Sequence, residues 1–274
     1  MYLARLAILD MYEGTPNQGM RCIQEIVSRF DHQLAEWKVF DVRGKAEVPD
    51  LSYDIYISTG GPGSPHEGDG IWDAAFYNWL QSVWNWNVTL NKEAKKQVFF
   101  ICHSFQMAVK HFQLAEVSRR RSPSFGTFPV HMTNVGIADP LFEGLINPFW
   151  AADFRHWQVI QPNMDRIEEI GAEILALEKI RPHVPLERAI MAIRFSEDIF
   201  GVQFHPEADP DGMLKHFLDP ERRKTVIEEH GEEKYLGMIE DLNDSSKIQL
   251  THEIILPQFL NRAINIFQKE EITA

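Results

Sequence analysis

Three short stretches of this chain combine residue types that can do covalent chemistry. The first is Phe100-Ile101-Cys102-His103-Ser104-Phe105-Gln106. Cys102 closes an apolar run, Gln97 to Ile101, and opens a segment with helical spacing, Ser104 to Leu114. Its sulfur therefore belongs at the carboxyl end of a strand, where open α/β sheets place ligands, and at a helix N-terminus, which favours a thiolate. Taken alone, a cysteine in such a place is more often packing than chemistry. The second stretch is Gly60-Gly61-Pro62-Gly63, at the end of another strand-like run. Glycines there let backbone approach a ligand and aim amides at a developing oxyanion. The turn lacks the spacing and the Lys-Ser/Thr of a phosphate loop.

The third stretch is Gly201-Val202-Gln203-Phe204-His205-Pro206-Glu207. A strand ending at His205, followed by the extended exit that proline imposes, can return the Glu207 carboxylate to the imidazole. A histidine base needs such a partner to fix its tautomer and to stabilise the imidazolium. Cysteine, histidine and glutamate then make a nucleophile, a base and an orienter.

Positioning these groups requires strands that end at one edge. Leu3 to Leu9, Trp37 to Val42, Asp54 to Ser58 and Gln97 to Ile101 read as strands. Gln18 to Phe30, Asp69 to Trp86 and Ser104 to Leu114 between them carry helical spacing. Strand and helix in alternation predict a doubly wound, mostly parallel α/β sheet. From Phe125 to Phe204 shorter strand-like pieces follow: Phe128 to Met132, Trp157 to Ile160, Ala189 to Phe195 and Ile199 to Phe204, the last two joined around Ser196-Glu197-Asp198. Beyond Glu207 only helical periodicity remains, at Glu221 to Leu242 and Lys247 to Gln268. The expected organisation is a domain over 1–209 and a helical extension over 210–274.

Composition excludes several function classes. The 274 residues are 44% hydrophobic and 24% charged, the mix of a folded protein, with a formal net charge of -13. Such a field repels nucleic-acid backbones, and Arg119-Arg120-Arg121 reads as a solvated strand end. No apolar run is long enough to span a bilayer, and the N-terminus lacks the pattern of a signal peptide. With two cysteines, Cys22 and Cys102, a disulfide framework is not expected, and a reducing cytoplasm is. No spacing of His, Cys, Asp or Glu suggests a metal, and no cofactor is expected.

Taken together, the Gly-Gly-Pro-Gly turn, the cysteine elbow with Gln106 four residues on, and the Gln-Phe-His-Pro-Glu end resemble the class I (triad) glutamine amidotransferases. The texture is that of the glutaminase domain of GMP synthetases, to which Asp139-Pro140-Leu141-Phe142-Glu143-Gly144-Leu145 adds a similar connecting segment. The resemblance spans Leu3 to Glu207. It implies a flavodoxin-like fold with Cys102 as nucleophile, His205 as base and Glu207 as its orienter. It also implies an oxyanion hole from the amides of Gly61 and His103, and substrate contacts at Gly60, Gln106 and His156. The implied reaction is release of ammonia from glutamine, or cleavage of another γ-glutamyl amide, through a Cys thioester. The implied partner is a synthetase subunit, since the helical end has no phosphate loop, and a homo-oligomer is left open. The pattern departs from the family at Phe100 and Ser104, where glycines are usual, and at Phe105, where a histidine is. Phe100 crowds a strained elbow in this reading and predicts a reshaped or poorly formed site. The rival readings are a homoserine-acyltransferase-type acyl transferase and a silent binding or regulatory subunit.

Overall fold

The computed structural model describes residues 2–89, 95–182 and 186–270. Its centre is one nine-stranded sheet in the order β2-β1-β3-β4-β9-β8-β7-β5-β6. Strands β1 (Ala4–Asp10), β2 (Leu34–Asp41), β3 (Ile55–Ser58), β4 (Gln97–Ile101) and β9 (Ile199–Val202) run parallel. Strands β5 (Ala115–Met132), β6 (Phe149–Pro162), β7 (Glu173–Leu177) and β8 (Ile190–Ser196) extend it antiparallel. The expected parallel core of five strands is present, and four antiparallel strands extend it. The hairpin expected at Ser196 to Asp198 joins β8 to β9.

Alternation along the central strands feeds two faces. Leu6, Ile8, Ile55, Ile57, Phe99 and Ile101 point to one, against Ile23, Ile26 and Val27 of α1 (Gln18–Ser28). Ala7, Leu9, Tyr56, Val98 and Phe100 point to the other, against α3 (Trp72–Thr89) and α4 (His103–Phe112). The short helices α2 (Val42–Lys45), α5 (Asn134–Ala138) and α6 (Met164–Ile170) connect strands. Helix α3 starts three residues later than the periodicity suggests. The Asp69 carboxylate accepts the amides of Ile71 (2.8 Å) and Trp72 (3.0 Å), so that residue caps the helix rather than joining it.

Four helices follow Glu207: α7 (Pro210–Leu218), α8 (Pro220–His230), α9 (Glu232–Leu242) and α10 (Ile248–Glu270). The helix expected over Glu221 to Leu242 is broken at Gly231, whose φ of 89° no other residue adopts cheaply. Helices α7 to α9 share a small core of Met213, Phe217, Val226, Tyr235, Met238 and Leu242 against the β5–β6 ribbon. Helix α10 is different. Its Ile255, Leu256, Phe259, Leu260, Ile264 and Phe267 lie in the same core as β1, β3, β4 and α1. The arginine run is solvated at Arg119 and Arg121, as expected, but it is not a strand end. It sits inside β5 where the register with β6 shifts, and Arg120 reaches the buried Glu178 at 2.8 Å.

Candidate active site

The carboxyl ends of β1, β3, β4 and β9 open into a cavity of about 630 Å³. Cys102 stands at its floor, the N-cap of α4, with φ 47° and ψ -97°. That backbone is strained for any residue with a side chain and persists only where its surroundings fix it. Ser104 supplies part of the fixing. Its hydroxyl accepts the Ile101 amide (3.0 Å) and donates to the Ser58 carbonyl (2.8 Å), tying the ends of β4 and β3 together.

Phe100 does not crowd the thiol. Strand alternation turns its ring to the opposite face, among Phe76, Trp79 and Phe195. Its neighbour across the ladder is Gly201, where a Cβ would come within 3.3 Å of the Phe100 Cβ and 2.6 Å of the Phe105 ring. The glycine missing from the elbow is thus replaced by a glycine on the adjacent strand. Phe105 packs into the same aromatic cluster, 6.2 Å from Phe195. The reshaped, poorly formed pocket expected from Phe100 is not found.

His205 reaches the cavity from the end of β9, where its amide bonds to the Ala152 carbonyl at 2.9 Å. Its Nδ1 is 2.8 Å from Glu207 Oε1, as the two-residue spacing predicts. Burial alone would push the imidazole down, but the charges of Glu207 and Cys102 outweigh it and hold the ring well above the ordinary histidine value. Gln203, wholly buried, places its side-chain amide 3.6 Å from the Cys102 sulfur.

The glycine turn closes the opposite wall. A Cβ on Gly60 would lie 2.9 Å from His205 Cε1, 2.9 Å from the Tyr12 hydroxyl and 3.5 Å from Cys102 Cβ. A Cβ on Gly61 would meet the Met11 carbonyl at 2.5 Å. Both positions therefore need glycine for close approach. Gly61 lines the cavity beside Cys102. His103 is the first residue of α4, so its amide has no intrahelical acceptor. Burial and the nearby Arg43 cation push the His103 ring down to about 3, which leaves it neutral.

Two expected substrate contacts fall elsewhere. Gln106 is buried and donates to Gln203 Oε1 (3.1 Å) and toward the Trp157 carbonyl (3.4 Å), behind Cys102 rather than in the cavity wall. His156 is exposed on β6 and outside that wall, although it shares a strand face with Phe154, which lines the cavity two residues earlier. The sequence reading also missed residues that do line it. Tyr12 follows the carboxyl end of β1, a position the topology marks, and burial with the nearby Glu207 raises its hydroxyl well above the ordinary value. Cys22 lines it as well and lies 3.1 Å from Asp209 Oδ2. Burial, reinforced by that carboxylate, pushes its thiol up to about 12. Met213, Phe217 and Arg222 arrive from α7 and α8, which no sequence signal tied to the site.

Among the described residues no group of three or more metal-ligating side chains forms, and no helix is long and apolar enough to cross a membrane. No curated protein matches the chain. Among solved structures it is similar to a glutamine amidotransferase from Thermotoga maritima, at 14% identity and TM-score 0.70 over 96% of this chain and 99% of that one. A protein from Thermoplasma acidophilum, described as a putative GMP synthase subunit, aligns at 15% identity and TM-score 0.55, over 76% of this chain and 87% of that one. The glutaminase domain of a CTPS from Trypanosoma brucei, solved with bound acivicin, aligns at 15% identity and TM-score 0.51, over 74% and 86%. Identities this low show the shared fold alone. The family itself is carried by a sequence model described as "Glutamine amidotransferase class-I", which matches residues 16–222, from the start of α1 through the elbow and the His-Pro-Glu end to α8. The chain belongs to the class I glutamine amidotransferases.

Proposed function

We propose that this chain hydrolyses a γ-glutamyl amide through a thioester on Cys102, with His205 as acid and base and Glu207 as its orienter. The observation that carries the reading is the 2.8 Å pairing of His205 with a buried Glu207 beside a thiol on a strained elbow, in one cavity. The raised imidazole is suited to hold the proton that Cys102 gives up as it attacks. The thiolate attacks the amide carbonyl, and the C–S bond forms as the oxygen takes the negative charge. The amides of Gly61 and His103 are assigned to that oxyanion. Collapse breaks the C–N bond, and the imidazolium proton goes to the leaving nitrogen. Water, deprotonated by the now neutral ring, then attacks the thioester, releasing glutamate and the thiolate.

For the glutamyl carboxylate we assign the first turn of α1 in place of Gln106 and His156. The amides of Gln18 and Gly19 have no intrahelical acceptor, and Arg21 stands on the same wall. The boundary at 209/210 then marks the end of the catalytic segment and not of a folding unit, since α10 completes the core. A cytoplasmic setting belongs to this reading, as does a synthetase partner wherever ammonia is the product. With Phe100 turned away, the site is assembled within one chain, which favours activity without a partner.

The test is Cys102→Ala together with labelling by a chloroketone analogue of glutamine. Loss of amide cleavage in the variant, and covalent mass on Cys102 in the wild type, are expected. Undiminished cleavage by Cys102→Ala refutes the mechanism. Labelling only by acyl donors points to an acyl transferase, and no labelling at all to a silent binding protein.

A further inference from the structure

The position of the acid constrains what lies beyond the scissile bond. The leaving nitrogen takes its proton from His205, so any group on that nitrogen extends from the His205 side of the thiol. That side is walled by apolar side chains. The Phe154 ring lies 6.3 Å from the His205 ring and 6.2 Å from Phe217. Met213, one turn earlier on α7, lines the same cavity.

Departing ammonia needs neither this wall nor this room. It is about the size of a water, whose share of liquid volume is about 30 Å³. The cavity measures about 630 Å³, within the range of sites that enclose drug-sized ligands. The wall is also built in advance. Phe217 packs 5.8 Å from Phe125, and the Tyr235 hydroxyl of α9 donates to the Phe217 carbonyl at 3.1 Å. Helices α7 to α9 thus hold the wall in place with their own core and that of the ribbon, with no second chain.

Resting on the hydrolase reading above, we propose that Phe154, Met213 and Phe217 form a subsite for the amine half of the substrate. The substrate class is then γ-glutamyl amides whose nitrogen carries an aromatic or branched-alkyl group. The reaction balances as hydrolysis. The C–N bond breaks, the nitrogen leaves as a neutral primary amine carrying the His205 proton, and water supplies the oxygen of the product glutamate.

The experiment compares kcat/KM of the purified full chain for glutamine and for γ-glutamylbenzylamide. Benzylamine and ammonia are similar in basicity, so a difference reports the subsite rather than leaving-group chemistry. The benzylamide is expected to be preferred by about 10–100-fold, the worth of one buried ring. In Met213→Ala and Phe217→Leu, each checked for cooperative thermal unfolding, the benzylamide-to-glutamine ratio is expected to fall toward one. Two variants are used because Phe217 also belongs to the helical core. Equal or better use of glutamine by the wild type overturns the subsite and leaves the hydrolase intact. So does a ratio unmoved in folded variants. Cleavage of neither amide, with no chloroketone on Cys102, overturns the hydrolase reading and the subsite with it.

Discussion

Glu207→Gln keeps the shape of a side chain and removes its charge. Glu207 is 1% exposed, so solvent does not screen that charge from His205. Its Oε1 meets Nδ1 at 2.8 Å, while Oε2 has no hydrogen-bond partner among the described residues. The carboxylate is therefore committed to one donor. Removing the charge has two effects. The amide no longer selects the ring tautomer that faces Cys102, and the imidazolium loses the main charge that offsets its burial. In the serine-protease triad the equivalent amide substitution lowers kcat about 10⁴-fold. That factor corresponds to about 5.4 kcal/mol of barrier, and a loss of about 10³–10⁴ is expected here. The assay is steady-state amine or ammonia release as a function of pH. The sign follows from the raised imidazole: its protonated form is lost as pH rises through its folded value, which sets the alkaline limb. Without Glu207 that value drops, so the alkaline limb of kcat/KM moves to lower pH. Activity within about 10-fold of wild type, with the alkaline limb unmoved, refutes the role given to Glu207.

Three further outcomes follow from the packing. Gly60→Ala places a methyl 2.9 Å from both His205 Cε1 and the Tyr12 hydroxyl; displacing His205 by about an ångström should cost about 10²-fold in kcat/KM while thermal unfolding stays cooperative. Wild-type turnover in that variant argues against the close approach. Cys22, with its thiol held up at about 12, should resist iodoacetamide at neutral pH until the protein unfolds, and peptide mass mapping of the folded chain should find label on Cys102. Equal labelling of both cysteines removes that distinction. Ending the chain after Ser246 removes six large apolar side chains of α10 from the main core; at about 1.5–3 kcal/mol each this reaches the whole stability of an ordinary domain, so no cooperative unfolding should remain. A soluble truncated protein with an unchanged melting temperature refutes it.

Local chemistry was legible in the sequence wherever a feature is made by neighbours in the chain. The strand-to-helix junction at Cys102, the His205–Glu207 pair and the glycine turn each depend on a few consecutive residues. Their backbone preferences and spacing leave few alternatives, and the parallel order of the first strands follows from the helices between them. What the sequence could not settle depends on which distant segments meet. Phe100 looks obstructive beside Cys102 until β9 brings Gly201 opposite it. Gln106 has the spacing of a substrate contact, yet Gln203 on the neighbouring strand takes its side chain. Helical periodicity marks Lys247 to Gln268, within α10, as amphipathic without saying what covers it, and it does not mark α7 at all. Burial of apolar area is non-directional, so the same stripe is satisfied on any apolar surface. Only the assembled sheet decides that α10 completes the main core and that α7 walls the cavity beside His205.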